Sequence, residues 1–521
     1  MVKGGPKGGR ADEGAAGEGD SGTSALGLNL SFAVVFLVSA CGLGYQLVAG
    51  TTSSYLLGDS VTQFSFTIGL YLFALGIGSY LSKFVDRDLA TVFVRVELAV
   101  AVVGGVSALS LFFAWESELW FRPLLYGQIL TIGALVGIEI PLLVRLLEEE
   151  LELKELIARV LSWDYVGALI AALLFPLVLV PRLGLARAAL AFGLVNALVA
   201  LWSVSLFQDR LRRPMSLRIQ SVVVTAFLAI LFSQATTLTS IAEHTIYAGE
   251  IVHARTSPYQ RVVVTRANKS YQLFLSGALQ FNSEDEYRYH EALVHPAMAS
   301  SLDPRRILIL GGGDGLACRE VLRHPSVEKV VLVDLDPAVT DLARTFQPFV
   351  ELNGGAFDDP RVEVVNADAM AWLEEEAHLF DVAIVDFPDP HSFSVGKLYT
   401  DTFYALLMGR VAPDGVIAVQ STSPRLAPNS YWCIATTMES VGLFVRPYHA
   451  AVPSFGEWGF MLASQRAIPV PSDVPDDLRF LSDDYVPTLF VLPEDAKRRE
   501  VDVNRLSTQS LVRYYDDELR P

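Results

Sequence analysis

The sequence predicts a two-part fold, an N-terminal all-α transmembrane bundle followed by a C-terminal α/β domain. Hydrophobic residues make up 51% of the 521 residues. Nearly all of the hydrophobic content above that of an ordinary soluble protein lies before about residue 240. The mean hydropathy of +0.37 is high for a soluble protein for this reason. Between Ile307 and Pro390, four short apolar runs each end in acidic or glycine residues. This pattern is typical of parallel strands that bind a nucleotide-like ligand at their carboxyl ends.

The overall charge argues against one large class of partners. The formal net charge is −18 and the isoelectric point is near 4.9, whereas nucleic acid selects basic surfaces. An acidic chain is compatible with a cationic substrate. Cys41, Cys318 and Cys433 are too far apart to form a CxxC pair or a disulfide framework, so we expect buried free thiols.

The N-terminal part alternates long apolar runs with short polar connections. Residues 1–27 are a Gly-rich, mixed-charge tail that is predicted to be disordered and carries no secretory signal. A helix needs roughly 20 mostly apolar residues to cross the hydrocarbon core, and seven runs within residues 28–240 reach that length. They cover about 29–50, 61–82, 93–115, 124–146, 160–181, 186–207 and 219–239.

Four polar side chains fall within these runs or at their ends, namely Gln46, Glu97, Glu139 and Asp164. Ionisable residues inside a membrane often mark a functional site. Glu97 and Asp164 lie near predicted helix ends, where a carboxylate costs little. Glu139 is followed by Pro141 and is therefore the best candidate for a polar site or a broken helix.

The basic residues give a conflicting orientation. They concentrate in the second, fourth and sixth connections, which the positive-inside rule therefore places in the cytoplasm. These residues are Lys83 and Arg87, then Arg145, Lys154 and Arg159, then Arg210, Arg212, Arg213 and Arg218. Seven full crossings would then place the C-terminal domain outside the cell, unless one run is re-entrant or miscounted.

After residue 240 the composition is that of a soluble protein. Residues 241–300 are predicted to form a small antiparallel β unit, with strands such as RVVVT and YQLFL. Residues 301–465 alternate strand and helix patterns and are predicted to form a Rossmann-like domain. The segment 466–521 is rich in Pro and Asp, and the sequence assigns it no role.

The first strand-to-helix turn of this domain carries the sequence GGGDG at residues 311–315. Glycines at this turn let a ligand approach the backbone closely. Asp314 would repel a phosphate and favour a cation, which indicates a positively charged adenosyl compound. Asp334 ends the next strand and is placed to bind ribose hydroxyls. Asp336 could equally cap the helix that begins at Pro337.

Two later strands also end in acids. Asp368 is placed to contact the adenine or, alternatively, to cap the following helix. Asp386 and Asp389 lie on a proline-stiffened loop, where two carboxylates would form a rigid anionic pocket. A primary amine has an ordinary pKa near ~10.4, so one carboxylate can accept its proton while the second holds a far ammonium group. The alternative is a turn whose Asp and Pro residues act only on conformation.

Residues 245–465 resemble the spermidine synthases, the polyamine aminopropyltransferases. The matching segments are collinear: SPYQ (257–260), EDEYRYHE (284–291), ILILGGGDGLACREVLRHPSVEKV (307–330), VDLD (333–336), ADA (367–369), DFPDP (386–390) and LYT (398–400). The hydrophobic extension is similar to that of the membrane-bound members of this family. The resemblance implies a Rossmann-like, methyltransferase-type fold.

The resemblance also implies roles for single residues. The methylthioadenosine part of the donor, decarboxylated S-adenosylmethionine, would be held by Gln260, Asp334, Asp368 and Ala369. Asp314 would hold the aminopropyl ammonium. The polyamine side would comprise Tyr289 and His290 in the cleft, Asp386 as proton acceptor and Asp389 beside it.

The chain departs from the family pattern in three places, all on the acceptor side. Phe387 and Pro388 stand between the paired aspartates, where soluble members usually have two small residues. The sequence HSFSV at 391–395 replaces a usual Gly-Pro-Ala segment. Phe455 stands where a polyamine-contacting tyrosine is usual. The identity of the amine is therefore open, whereas that of the donor is not.

The sequence thus predicts aminopropyl transfer to putrescine or a related polyamine, which gives spermidine and methylthioadenosine. Expected partners are a small-molecule polyamine, the adenosyl donor and membrane lipid, with a homodimer as an open alternative. Nucleic acid, a metal or a cofactor beyond the co-substrate is not expected. We expect a multi-pass cell-membrane protein with a cytoplasmic active domain, because its donor is expected to be made there.

Two other functions stay open on the sequence alone. One is methyl transfer from S-adenosylmethionine on the same fold, which Asp314 disfavours. The other is a membrane polyamine transporter or sensor whose soluble domain only binds ligand, as the apolar runs and Glu139 would allow.

Overall fold

The computed structural model describes residues 20–57, 60–115, 118–148, 151–247 and 249–519. Of the predicted tail, residues 1–19 lie outside this description, and a helix already begins at Asp20. The chain divides into two compact units, one made of residues 1–52 and 64–239 and the other of residues 53–63 and 240–521. Each unit is described by itself below.

All regular secondary structure in the described residues of the N-terminal part is helical. Its helices are α1 (Asp20–Leu57), α2 (Ser60–Ser82), α3 (Leu89–Ala114), α4 (Glu118–Leu147), α5 (Leu153–Leu174), α6 (Val180–Leu206) and α7 (Pro214–Ile246). A short π-helical turn, Phe175–Leu179, joins α5 to α6. By length and composition, the described residues contain six helices that are long and apolar enough to cross a membrane.

One of these six stretches, Leu153–Leu206, has 54 residues and contains two of the predicted runs. Gly184 interrupts it with non-helical backbone angles, φ 74° and ψ 173°, which glycine adopts at little cost. Leu156 and Val204 belong to one buried cluster, although in a straight helix they would lie about 70 Å apart. The chain therefore turns back at Gly184, between the runs 160–181 and 186–207.

Helices α2 and α4 contact each other through their backbones. A Cβ atom added at Gly78 would lie 2.0 Å from the Ala134 carbonyl oxygen, so only glycine permits this approach. Pro141 lies inside α4 and cannot donate a backbone hydrogen bond to the carbonyl of Gly137. Ser79 Oγ donates to that carbonyl instead, at 3.0 Å. The predicted alternative of a helix broken at Pro141 is therefore wrong, because α4 continues through it.

The acidic residues of the bundle have different surroundings. Asp164 is half-buried and accepts a hydrogen bond from Ser39 Oγ. Glu97 and Glu139 are both 0% exposed. The prediction that Glu97 lies at an interfacial helix end is therefore wrong, since its place in α3 is in the packed interior.

The other unit begins with a small antiparallel sheet in the order β1-β2-β3-β4. Its strands are β1 (Glu250–Thr256), β2 (Arg261–Ala267), β3 (Ser270–Leu275) and β4 (Ala278–Asn282). Val262, Val264 and Phe281 of this sheet share a buried cluster with Leu316 and Leu342 of the following domain. The small sheet is thus fixed against the domain that carries the glycine loop.

The following domain has a seven-stranded sheet in the order β10-β11-β9-β8-β5-β6-β7. Its strands are β5 (Arg306–Gly311), β6 (Lys329–Asp334), β7 (Val362–Asn366), β8 (Phe380–Asp386), β9 (Val411–Gln420), β10 (Phe444–Val452) and β11 (Gly456–Ser464). Strands β5 to β9 pair in parallel, whereas β10 and β11 pair antiparallel at one edge. The predicted Rossmann-like α/β architecture is confirmed, with an antiparallel addition at this edge.

Helices cover both faces of this sheet. They are α8 (Glu286–Ser300), α9 (Leu316–Leu322), α10 (Pro337–Thr345), α11 (Gln347–Leu352), α12 (Ala369–Glu375), α13 (Phe393–Gly396), α14 (Asp401–Met408), α15 (Pro428–Ser440), α16 (Val486–Leu489) and α17 (Ser510–Leu519). One buried cluster joins α8 and α9 to one face of the strands, and a second joins α12, α14 and α15 to the other. Leu511 of α17 belongs to the second cluster, so the C-terminal segment packs on the domain core.

Candidate active site

Several of the predicted site residues lie where the strand order reverses. From β5 the chain proceeds outward through β6 and β7, and β8 then returns to the opposite side of β5. In open α/β sheets, ligands bind at the carboxyl ends of the strands at such a switch point. Gly311 at the end of β5 pairs directly with Asp386 at the end of β8.

The glycine loop is tied to both neighbouring strand ends. Gly312 N–H donates to the Asp386 carbonyl at 3.2 Å, and Gly313 N–H donates to Asp334 Oδ2 at 3.0 Å. Gly311 has φ 81°, and a Cβ atom there would lie 2.2 Å from the Asp386 carbonyl oxygen. The loop therefore needs glycine both for its backbone angles and for its close approach to β8.

Asp314 projects from this loop at the start of α9. Its Oδ1 accepts a hydrogen bond from Leu316 N–H at 2.9 Å. Burial raises the pKa of the Asp314 carboxyl, while the charge of His290 opposes that shift. Asp314, His290 and Asp386 therefore lie near enough for their charges to interact.

Asp386 accepts a hydrogen bond from the Tyr289 hydroxyl at 2.6 Å. Burial, together with the charge of Asp314, raises the pKa of Asp386 to about 6, although His290 and the Tyr289 hydrogen bond act in the opposite direction. A carboxylate with a raised pKa is a stronger base than an ordinary aspartate. Because this pKa still lies below 7, Asp386 is ionised at neutral pH and able to accept a proton.

His290 supplies the positive charge of the site. Burial by itself would lower the pKa of His290, but its Nδ1 lies 2.9 Å from Glu286 Oε2, and this interaction raises the pKa to about 9. Arg319 holds the same glutamate with two hydrogen bonds of 2.9 Å. At neutral pH His290 is therefore an imidazolium beside Asp314 and Asp386.

Asp389 lies on the loop after β8 and is held by three donors. Tyr515 Oη donates to Asp389 Oδ2 at 3.0 Å, and Thr422 Oγ1 donates to the same oxygen at 3.3 Å. Gln420 Nε2 lies 3.5 Å from Oδ1. Burial raises the pKa of Asp389 to about 6. Its charge is thus fixed in position by side chains from β9, the loop after it and α17.

On the predicted donor side, one hydrogen-bonded chain joins the small β unit to the end of β6. Asp334 Oδ1 accepts from Asp336 N–H at 2.9 Å, and burial raises the pKa of Asp334 to about 6. Asp336 Oδ1 accepts from Ala338 N–H at 2.9 Å and caps α10, which is the alternative role given to it above. Gln260 Nε2 donates to Asp336 Oδ2 at 3.1 Å. The structure thus places Gln260 beside the strand end that carries Asp334.

Asp368 and Ala369 lie at the start of α12. Asp368 Oδ1 accepts from Met370 N–H at 3.0 Å and caps the helix. Its Oδ2 lies 2.5 Å from Lys397 Nζ. Ala369, the first residue of α12, is buried. Asp368 therefore caps α12, as one of the two interpretations proposed. Its contact with adenine stays a prediction.

The three departures from the family pattern have distinct surroundings. Phe387 is buried with its ring 5.7 Å from that of Phe403, so it belongs to the core. Phe455 lies 6.0 Å from the ring of Tyr289 and 4.9 Å from that of Trp458. An aromatic surface without a hydroxyl therefore adjoins Tyr289. The segment 391–395 contains the N-cap Ser392 and the first three residues of α13.

Sequence reasoning missed several side chains of this site. Glu286 stands four residues before His290 on α8, and this helical spacing was a usable signal. Tyr515 is 126 residues from Asp389 along the chain, in a segment to which the sequence assigned no role. Lys397 beside Asp368 was also missed, and no pattern in the sequence links the two.

Comparisons with known proteins identify the family of this chain. The model of the spermine/spermidine synthase domain matches residues 286–471. The polyamine aminopropyltransferase of Leptospira interrogans serogroup Icterohaemorrhagiae serovar copenhageni is 48% identical over 484 residues, which are 93% of this chain and 97% of that protein. Polyamine aminopropyltransferase 2 of Ralstonia nicotianae is 50% identical over 496 residues, with 93% and 97% covered. A crystal structure of spermidine synthase from Thermotoga maritima aligns with a TM-score of 0.43 and 28% identity, covering 47% of this chain and 85% of that one.

The two relatives match 93% of this chain, so the matched region includes most of the apolar N-terminal part as well as the α/β domain. The chain belongs to the polyamine aminopropyltransferase family, the spermine/spermidine synthases.

Proposed function

We propose that this enzyme transfers the aminopropyl group of decarboxylated S-adenosylmethionine to putrescine or a related polyamine. The products are spermidine and methylthioadenosine. The observation that carries the proposal is the meeting of Gly311 and Asp386 at the switch point, with Asp314, Tyr289 and His290 around them.

The donor is selected by charge. Decarboxylation leaves the donor with a cationic aminopropyl end, whereas ordinary S-adenosylmethionine also carries a carboxylate there. Asp314 in the glycine loop attracts the ammonium and repels that carboxylate. The roles of Gln260, Asp334, Asp368 and Ala369 at the adenosyl part follow from the family resemblance, and their places at the strand ends support them.

The chemical step joins the amine nitrogen of the acceptor to the propyl carbon on the sulfonium. The carbon–sulfur bond breaks and its electron pair goes to sulfur, which leaves methylthioadenosine neutral. The attacking nitrogen must first lose a proton, and Asp386 accepts it. The enzyme otherwise aligns the two reactants, which by itself accelerates such a transfer.

Asp389 holds the second ammonium of the acceptor. It lies three residues beyond Asp386 on a loop that contains Pro388 and Pro390, so the two carboxylates have a fixed separation. The aromatic rings of Phe455 and Trp458 contact each other near Tyr289 and would cover the alkyl chain of the amine. We propose no metal and no cofactor besides the co-substrate.

We also propose that the enzyme is a multi-pass protein of the cell membrane with a cytoplasmic active domain. The six apolar helices support the first statement. The second rests on the expected place of donor synthesis, and the basic residues of the connections argue against it. A reporter enzyme fused to the C-terminus decides between the two orientations.

The test of the reaction uses the full-length protein in lipid nanodiscs. Decarboxylated S-adenosylmethionine is mixed with putrescine, cadaverine or spermidine, and methylthioadenosine release is measured. Release with at least one amine is expected, and no release with any of them would overturn the proposal. Calorimetry with the decarboxylated and the ordinary donor separates this reaction from methyl transfer, which predicts tighter binding of the ordinary donor.

A further inference from the structure

Two glutamates lie in the interior of the helical bundle, one on α3 and one on α4. Glu97 and Glu139 are both 0% exposed. Within the described residues, none of their four carboxylate oxygens has a hydrogen-bond partner. The two side chains are near enough for their charges to interact.

Two buried carboxyl groups without hydrogen-bond donors lower the stability of the helical bundle. A buried carboxylate without donors costs several kcal/mol in its charged form, and an uncharged acid still leaves polar atoms without partners. An apolar residue of similar size at either position would avoid this cost. Acids kept in the interior of a membrane-type bundle therefore point to a function at that place.

Two further polar side chains in the same interior are also unpartnered. Tyr45 on α1 is 1% exposed and Asn196 on α6 is 0% exposed. In the described part of the chain, neither the Tyr45 hydroxyl nor the Asn196 amide has a hydrogen-bond partner. Tyr45 lies within charge-interaction range of both glutamates. One region of the bundle interior thus contains carboxyl, hydroxyl and amide groups that form no hydrogen bonds with one another.

The packing around Tyr45 keeps it in this position. A Cβ atom added at Gly104 of α3 would lie 2.5 Å from the Tyr45 ring, so the ring rests directly on the α3 backbone. The ring of Phe192 on α6 lies 6.0 Å away on a tilted plane. Asn196 follows Phe192 by about one helical turn. The region is therefore bounded by α1, α3, α4 and α6.

We propose that this region is a binding site for a protonated aliphatic amine, centred on Glu97 and Glu139. Two carboxylates supply the charge, the Tyr45 ring supplies an aromatic face that attracts ammonium, and the Asn196 amide supplies a neutral hydrogen-bonding group. No group of three or more His, Cys, Asp or Glu side chains that could hold a metal ion occurs within the described residues. The choice of an amine rests on the proposed function, in which Asp386 and Asp389 of the same chain bind an amine with a second pair of carboxylates.

The test separates the two amine sites by substitution in the full-length protein in nanodiscs. Binding of radiolabelled spermidine is measured for four chains: the unaltered one, Asp386→Asn/Asp389→Asn, Glu97→Gln/Glu139→Gln, and all four substitutions combined. The chain with the catalytic pair replaced is expected to retain binding. The fourfold variant is expected to lose it at least ten-fold. Asp164→Asn, which alters a hydrogen-bonded acid of the same bundle, is the matched control and should keep binding in the Asp386→Asn/Asp389→Asn background.

Equal spermidine binding with and without Glu97 and Glu139 would overturn the site, and so would no binding by the Asp386→Asn/Asp389→Asn chain. Elution profile and melting temperature report whether each variant folds. Where the glutamate variants fail to fold, spermidine-dependent stabilisation of the Asp386→Asn/Asp389→Asn chain gives the answer: a raised melting temperature supports the site and an unchanged one contradicts it. Failure of the proposed function would instead appear as no methylthioadenosine release by the unaltered chain.

Discussion

Two pairs of acids, one half-buried at the sheet edge and one fully buried in the helical bundle, differ in their hydrogen-bond partners. Asp386 and Asp389 at the sheet edge accept hydrogen bonds from Tyr289 and Tyr515. Glu97 and Glu139 in the helical bundle have no such donors within the described residues. Donors stabilise the ionised form of a carboxylate and fix its direction. The first pair is therefore fixed in direction, as the proposed proton transfer requires, whereas the second pair would need a cationic ligand to balance its charge.

The largest expected effect comes from removing the base of the partnered pair. Asp386→Asn should lower kcat by about 10²–10⁴-fold, the usual contribution of a general base, because the amide cannot accept the proton of the amine. Methylthioadenosine release at saturating donor and amine measures the effect. Asp414→Asn, an exposed residue of β9, is the control and should leave kcat unchanged. An Asp386→Asn enzyme within two-fold of the unaltered one would remove Asp386 from the mechanism.

The same substitution should have opposite effects on a partnered and an unpartnered glutamate. Glu286→Met should destabilise the protein by about 3–5 kcal/mol, since it leaves the buried His290 imidazolium without its carboxylate partner and removes two of the hydrogen bonds that Arg319 donates. Glu97→Met should stabilise it by about 1–3 kcal/mol in the absence of amine, because it removes carboxylate oxygens that have no partner within the described part of the chain. Denaturant or thermal unfolding of the purified chains measures both. Destabilisation by Glu97→Met would show that this carboxyl has a structural partner after all.

A smaller effect is expected when one donor of Asp389 is removed. Tyr515→Phe should raise the KM for the amine about ten-fold, as loss of a hydrogen bond to a charged group costs about 1.5 kcal/mol, with a lesser change in kcat. The neighbouring Tyr514 hydroxyl contacts Asp502 instead, at 3.2 Å, so Tyr514→Phe is a matched control. Equal KM values for the two variants would mean that Tyr515 does not position Asp389.

The smallest effect concerns pH. Burial raises the pKa of Asp386 to about 6, and only its ionised form accepts a proton, so kcat/KM should fall as the pH drops below about 6. The Tyr289 hydrogen bond lowers the pKa of Asp386, and Tyr289→Phe should therefore move this acidic limb to higher pH. A pH–rate profile of both enzymes measures the shift. A limb that stays in place, or moves to lower pH, would contradict the assignment of Asp386 as the base.

Much of the site could be predicted because it depends on strand ends. A parallel strand ends at the same edge as its neighbours, so Asp314, Asp334 and Asp386 had to come close once the apolar runs were recognised as strands. Their mutual arrangement also depends on Gly311 and Gly313, whose missing side chains let the loop touch β8 and Asp334. These are local properties, and the sequence displays them directly.

Other features depended on contacts between distant segments. The sequence placed Glu97 near a helix end, but burial is decided by which helices surround α3. For Asp336 and Asp368 the sequence left two roles open, and it did not show their contacts with the distant Gln260 and Lys397.

By itself, the sequence determined the division into an apolar helical part and an α/β part, the order of the strands along the chain and the acids that follow them. These follow from periodicity and from the few residue types that suit a turn. The tertiary structure alone decided that Tyr515 contacts Asp389, 126 residues away along the chain, and that Glu97 and Glu139 are both buried, with no hydrogen-bond donor to either among the residues that the structure describes. The physical reason is that the packing of whole helices and strands decides which side chains meet. The residues next to a side chain in the sequence do not show that packing.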